Sequence, residues 1–387
     1  MKRLLLALLA ATLVACSGGQ SGSAPIAAPP TASHAAVKVK PNLCSASSPL
    51  MWVATGTPSL NGWDNCDVKD WSIHGSSTGF GTVSGASIDP TTGNAYVSNQ
   101  TCVGSSCNFV LDVFQPGQNG NTAPYQTLGS SVFYCYESCF GFPFLDSAGK
   151  VWVGDYTCGD GCFVPDIYVF NAGAHGSNVT PSQDITSKCA HPIAWVSFAQ
   201  DASGHIYAEA LNYDTTTKIQ QFHHDDNGNV TPITCLNGSN IDSALVNTAM
   251  SDGIAIGHNG KLYAASEYAG RNLSGYPQGN GFVYIWNAGD TGNTAPEHWI
   301  GGSNTGFVHP TGVAISGNAD GYAIYVADPA AGKIDKFAAG STGNATPSAT
   351  YSVPNMLWQA SPALCSAQVL NNVLECYSTP SAKKHRK

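Results

Sequence analysis

Residues 84–129 read SGASIDPTTGNAYVSNQ (84–100), TCVGSSC (101–107) and NFVLDVFQPGQNGNTAPYQTLG (108–129). A short apolar run leads into an Asp–Gly turn at 89–94. A β-branched and aromatic run follows, then a Cys-bearing loop and a third run ending in Phe114. A Gly-Asn turn leads to the fourth run. Short alternating runs of this kind are half-buried strands, and Gly or Asn between them supplies the turn conformations.

The grammar recurs along the chain. Gly-Asn-x-Ala/Thr-Pro stands at Gly120–Pro124, Gly228–Pro232, Gly292–Pro296 and Gly343–Pro347, with a variant, Gly176-Ser177-Asn178-Val179-Thr180-Pro181. Its prolines at 124, 181, 232, 296 and 347 are 57, 51, 64 and 51 residues apart. A step of about 50 suits one four-stranded propeller blade with its loops. A second marker is the Asp/Gly turn between two strands, in IDPTTGNAYVSN from Ile88, LDSAGKVWVGD from Leu145, QDASGHIYAEA from Gln200, GHNGKLYAASE from Gly257 and ISGNADGYAIYVAD from Ile315. A third is a strand ending in an aromatic at Phe114, Phe170, Phe222, Trp286 and Phe337.

Together the markers resemble NHL-type β-propeller repeats over roughly residues 84–355. The best match is His309-Pro310-Thr311-Gly312-Val313-Ala314 leading into Ile324-Tyr325-Val326-Ala327-Asp328. The resemblance implies a fold; such propellers host enzymes and binding modules alike. Five repeats lie inside the chain. At the amino end, two strands are expected at Leu50–Ala54 and Val68–His74. At the carboxyl end, Ala363–Val369 and Val373–Tyr377 flank the turn Asn371-Asn372. These two halves are expected to complete one another, the carboxyl end giving two inner strands and the amino end two outer ones. The expectation is an all-β, six-bladed propeller over residues 44–380, with seven blades as the alternative.

Met1-Lys2-Arg3, the apolar run Leu4–Val14 and the small residues before Cys16 have the layout of a secretory signal. The run is too short to span a bilayer. Leu13-Val14-Ala15-Cys16 resembles a bacterial lipobox. That implies removal of residues 1–15, lipidation of Cys16 and anchoring in the cell envelope; Ser17 in place of Asp favours the outer membrane. The Ser/Gly/Ala/Pro-rich residues up to 43 read as a flexible linker. The basic tail 381–387 reads as a solvated end. With Lys+Arg 16 against Asp+Glu 25 and a formal net charge of −9, the composition gives no support to nucleic-acid binding.

Thirteen cysteines less Cys16 leave twelve, which in an exported protein read as disulfides. Cys44 and Cys66, Cys102 and Cys107, Cys158 and Cys162, and Cys365 and Cys376 are candidate pairs; the partners of the rest are open. In a propeller, loops joining the second and third strands share a face with loops joining one blade to the next. Cys102, Cys107, Cys158 and Cys162 fall in the first kind. Cys135, Cys139, Cys189 and Cys235 fall in or beside the second. The long insertion Ala269–Gly281 lies there too, so this loop face is expected to be the working surface, with Asp155, Tyr156, Tyr268, Arg271, Tyr276 and Asp328 on it. A zinc thiolate site from Cys135, Cys139, Cys158 and Cys162 is disfavoured by the three-residue gaps and an oxidising compartment.

His191-Pro192 and His309-Pro310 precede the innermost strands of their blades, and Asp155, Glu209, Glu267 and Asp328 are expected just after second strands. Around one channel mouth, such groups suit general acid–base work or a divalent cation. NHL-like lyases and lactonases of the gluconolactonase type use that face. None of their catalytic motifs is present, nor is a nucleophile elbow, phosphate loop, dinucleotide fingerprint or His-Glu-x-x-His. The expectation is therefore a module binding a protein, polysaccharide or small molecule. A His/carboxylate lyase or lactonase, with His191, His309, Glu209 and Glu267 as candidates, is the alternative.

Overall fold

The computed structural model describes residues 51–375, apart from 56–57, 64–68, 104–105, 136–142, 156–164, 191, 213–215, 246–252, 268–280, 319–320, 357–362, 365–367 and 371–372. The chain divides into two units, residues 1–40 and 41–387, and all the described residues lie in the second.

Six four-stranded antiparallel sheets form a six-bladed β-propeller. From the inside outward, blade 2 is Thr82–Ile88, Ala95–Val103, Ser106–Phe114 and Gln126–Leu128. Blade 3 is Pro143–Leu145, Val151–Gly154, Ile167–Phe170 and Gln183–Ser187. Blade 4 is Pro192–Gln200, Ile206–Asn212, Thr217–Phe222 and Thr234–Leu236. Blade 5 is Ile254–Ile256, Lys261–Ser266, Phe282–Asn287 and His298–Gly301. Blade 6 is Gly312–Asn318, Gly321–Asp328, Lys333–Ala338 and Ala349–Ser352.

Blade 1 closes the ring and corrects the expected division into two and two. The amino end supplies three strands, Met51–Thr55, Ser59–Trp63 and Lys69–His74. The carboxyl end supplies one, Ala363–Leu364, pairing with Met51 and Trp52. Among the described residues, Gln368–Leu370 and Val373–Glu375 pair with each other and with no other strand. The strand the sequence hid is Ser59-Leu60-Asn61-Gly62-Trp63. Its Asn and Gly read as loop chemistry, but pairing on both sides overrides that preference.

The core is six layers, one between each pair of neighbouring blades. Blade 1 gives Leu60 and Ile73 to a layer with Val97 and Phe114 of blade 2. Blades 6 and 1 share Tyr325, Tyr351, Val53 and Trp63. Because side chains alternate across a strand, each strand serves two layers. This explains the aromatic in every second strand. Tyr96 faces blade 3 and Tyr207 faces blade 5, while Val97 and Ala208 face the other way.

The two turn markers have distinct jobs. Asp89, Asp146 and Asp201 fasten their own hairpin turns: Thr91 N–H donates to Asp89 Oδ1 at 2.8 Å, Lys150 N–H to Asp146 Oδ1 at 2.9 Å and Ser203 N–H to Asp201 Oδ1 at 2.8 Å. The Gly-Asn turns instead weld blades together at the rim. The Gly of each turn pairs in parallel with the outer strand of the preceding blade: Gly120 with Ile73, Gly176 with Leu128, Gly228 with Ile185, Gly292 with Leu236 and Gly343 with Ile300. In three of these joints the following Asn adds a latch. Its Oδ1 accepts from Ser77 N–H (Asn121, 2.7 Å), Asn240 N–H (Asn293, 2.8 Å) and Asn304 N–H (Asn344, 2.7 Å).

Each latch sits over a glycine. Gly75 and Gly238 adopt φ 103°, ψ 176° and φ 96°, ψ −176°, backbone that side chains essentially forbid. A Cβ on Gly238 would lie 3.0 Å from Asn293 Oδ1. Where the second turn carries Ser177 instead of Asn, the joint changes, and Ser130 Oγ donates to Val179 O at 2.5 Å.

Candidate functional site

The loop face is formed by connections between second and third strands and between blades. Its most prominent described feature is the blade 2 hairpin. Ala95–Val103 and Ser106–Phe114 pair along their full length, well past Thr82, where the inner strand begins. Cys102 and Cys107 stand opposite one another near its tip and are joined by a disulfide. Val103, one residue beyond, is 86% exposed, the most exposed large apolar side chain among the described residues. On the other flank Tyr134–Cys135 adds a short strand, setting Cys135 opposite Cys107.

A second disulfide, Cys189–Cys235, ties the end of blade 3 to the outer strand of blade 4 across 46 residues of sequence. The two thiols lie in different repeats, so only the folded ring brings them together, and sequence spacing carries no sign of the pairing. Cys16, Cys44, Cys66, Cys139, Cys158, Cys162, Cys365 and Cys376 lie outside the described residues, as do His191, Tyr156, Tyr268, Arg271 and Tyr276.

The described acid–base candidates belong largely to the frame. Asp328, wholly buried, accepts from three backbone N–H groups: Val308 at 2.6 Å, His309 at 3.1 Å and Ala331 at 3.1 Å. It thus fixes the entry into blade 6. Asn99 holds the equivalent place in blade 2, accepting from Gly81 N–H at 2.9 Å and donating to Gly79 O at 3.1 Å. His309 is half-buried, and the Pro310 that follows it packs against Gly281; a Cβ there would lie 2.2 Å from Pro310 Cδ. Glu267 follows its strand as expected and is buried.

Glu209 departs from expectation. It lies within Ile206–Asn212, not after it, because the strand runs on for three more residues. Counting from the aromatic of the second strand, its position holds Ser98, Gly154, Ala265 and Ala327 in blades 2, 3, 5 and 6. A carboxylate therefore occupies a slot otherwise given to small residues, and it is completely buried between strands. That exception was visible in the aligned repeats.

Asp166 is a feature that the sequence reading passed over. Burial foremost, then the charges of Asp184 and Asp155, raise its carboxyl to about 7. Asp166 O accepts from Asp155 N–H at 3.0 Å, and Asp155 O accepts from Trp195 N–H at 3.1 Å. The base of the blade 3 loop is thus tied to the inner strand of blade 4. Burial also raises Asp112, against the lowering effect of bonds from Asn99 and Thr127. Among the described residues, no group of three or more His, Cys, Asp or Glu side chains is placed to hold a metal ion.

The sequence matches no protein-family profile and no curated protein. Solved structures with similar architecture include the PQQ-bound aldose sugar dehydrogenase of Streptomyces coelicolor, at 12% identity and TM-score 0.43, covering 73% of this chain and 90% of that one. The Dos1 propeller is 8% identical with TM-score 0.42, covering 79% and 68%. Kuenenia stuttgartiensis hydrazine synthase is 10% identical with TM-score 0.40, covering 78% and 79%. At these scores the likeness carries no argument about this chain.

Proposed function

We propose that this chain is an exported, lipid-anchored propeller that binds a component of the cell envelope through its loop face. The observation that carries the reading is the division of labour on that face. Asp328, a candidate for chemistry at the channel mouth, is committed to holding loop backbone, and Glu209 and Glu267 are buried in the blades. Meanwhile the cross-linked hairpin holds Val103 out in solvent. An exposed apolar tip on a stiff support gives contact area at low entropic cost on binding. Lipidation at Cys16 and the 16–43 linker would hold the ring at a membrane with this face free to engage. A protein or polysaccharide partner fits the face better than a small metabolite, because the described feature projects outward.

The test is co-sedimentation of purified protein with isolated envelope fragments. Val103→Glu is expected to lower the bound fraction several-fold with no change in the unfolding midpoint. Ile233→Glu, on the opposite face and 41% exposed, is expected to leave it unchanged. Equal loss for both variants, or for neither, would remove the hairpin from the binding surface.

A further inference from the structure

We propose that the opposed pair His205 and His223, on the face away from the loops, binds a divalent transition-metal ion of the Cu²⁺, Ni²⁺ and Zn²⁺ class. Comparison of the repeats carries the inference. The ladder between the second and third strands of blade 4 reaches Ile206 opposite Phe222. One step further, His205 stands opposite His223, and their rings meet edge to face with centroids 5.4 Å apart. The same step holds Lys261 and Asn287 in blade 5 and Ala323 and Ala338 in blade 6. In blade 2 it holds Asn94 and Gln115, and in blade 3 Lys150 and Asn171. The fold therefore asks for no imidazole there, and of these five blades only blade 4 has two. Directly opposed side chains are close neighbours, with Cβ atoms about 4.5–5.5 Å apart, so two imidazoles in these places can reach one ion.

Asp201 stands behind His205. Its Oδ2 accepts from His205 Nδ1 at 3.1 Å and from Gln221 Nε2 at 3.3 Å, while its Oδ1 accepts from the N–H groups of Ser203 at 2.8 Å and His205 at 3.0 Å. A carboxylate only accepts, so Nδ1 of His205 carries the hydrogen and Nε2 is left for a metal. A carboxylate behind a ligating histidine fixes its tautomer and raises its basicity. His223 is exposed, so its ring can turn towards His205, while its turn is held. The His223 N–H donates to Asp226 Oδ2 at 2.8 Å, and Gln183 Nε2 of blade 3 donates to Asp226 O at 2.7 Å. Among the described residues, no hydrogen bond engages His205 Nε2 or the His223 ring.

Two imidazoles are fewer ligands than the three or four that hold a resident zinc ion. Solvent would complete the coordination, and the site takes an exchangeable ion. Imidazole nitrogens select such ions over Mg²⁺ and Ca²⁺, and Cu²⁺ is held more tightly than Ni²⁺ or Zn²⁺. The inference stands independently of what the loop face binds.

The test is equilibrium dialysis of the full-length chain against Cu²⁺, with Zn²⁺ and Mg²⁺ for comparison. Electron paramagnetic resonance of the Cu²⁺ form counts the coordinated nitrogens. The wild type is expected to hold a Cu²⁺ ion with a two-nitrogen signature, Zn²⁺ more weakly, and Mg²⁺ not at all. His205→Ala and His223→Ala should each weaken Cu²⁺ binding ~10-fold or more and leave one nitrogen. Asp201→Asn should weaken it ~10-fold with both nitrogens kept. His175→Ala, on the same face, should change neither quantity. Urea midpoints of the metal-free variants check folding, and His223, being exposed, can be replaced with the frame intact. Wild-type Cu²⁺ affinity in His223→Ala, a two-nitrogen signature surviving in His205→Ala, or Mg²⁺ bound as tightly as Cu²⁺ would overturn the proposal.

Discussion

Replacing Gly238 by Ala tests the rim latch at the blade 4–blade 5 joint. Two costs arise at once. The backbone at φ 96°, ψ −176° costs a non-glycine residue about 1–3 kcal/mol. The new methyl would also stand 3.0 Å from Asn293 Oδ1, so Asn293 must withdraw from Asn240 N–H. Losing that bond costs about 0.5–1.5 kcal/mol. Together Gly238→Ala should cost about 2–4 kcal/mol, and Asn293→Ala about 1 kcal/mol. Because the first change already breaks the bond that the second removes, the double variant should fall short of the sum by about 1 kcal/mol. Urea unfolding followed by tryptophan fluorescence measures all four corners of the cycle. Gly260→Ala, also at positive φ but with open space around the added carbon, is the control and should cost about 1 kcal/mol. Strict additivity of Gly238→Ala and Asn293→Ala would refute the latch, as would a Gly238→Ala cost no greater than the control.

Three further outcomes follow from the same frame. Asp166 is raised in the folded protein, so the folded state holds its proton more tightly than the unfolded chain does. Its contribution is complete below about pH 4 and lost as pH rises through about 7. Asp166→Asn should therefore gain stability relative to wild type across that window and level off above it; a pH-independent difference in urea midpoint would contradict this. Asp335 is wholly buried and held by Lys333 Nζ at 2.7 Å and Thr350 Oγ1 at 2.7 Å. Lys333→Met should cost about 3–5 kcal/mol by stranding that carboxylate, and Lys333→Met/Asp335→Asn should recover most of it; no recovery would place the cost elsewhere. Ending the chain before Ala363 removes the strand partners of Met51 and Trp52, while Thr55 keeps its bridge to Met356. Light scattering should then show self-association, and a monodisperse monomer would mean that the last strand is dispensable for closure.

Much of this fold is legible because its repeats obey local rules. Gly120, Gly228, Gly292 and Gly343 mark the rim joints, and Tyr96, Tyr207, Tyr263 and Tyr325 mark the layers between blades. Asp89, Asp146 and Asp201 mark their turns. Closure was only half legible, because the strand at Ser59–Trp63 lacks alternation and forms through its neighbours on both sides. The site was less legible still. Asp328 has the same composition whether it performs chemistry or caps a loop, and only its three backbone donors distinguish these. Cys189 and Cys235 meet through the curvature of the ring, which no spacing encodes.

The most direct test of the loop face as the binding surface is site-specific photo-crosslinking in living cells. A photoreactive residue would replace, one at a time, Val103 and Val308 on the loop face and Tyr125 and Ile233 on the opposite face, all exposed apolar positions. Binding through the loop face predicts adducts with the same envelope component from Val103 and Val308 and none with it from Tyr125 and Ile233. Adducts with that component from Tyr125 and Ile233, with none from Val103, would contradict it.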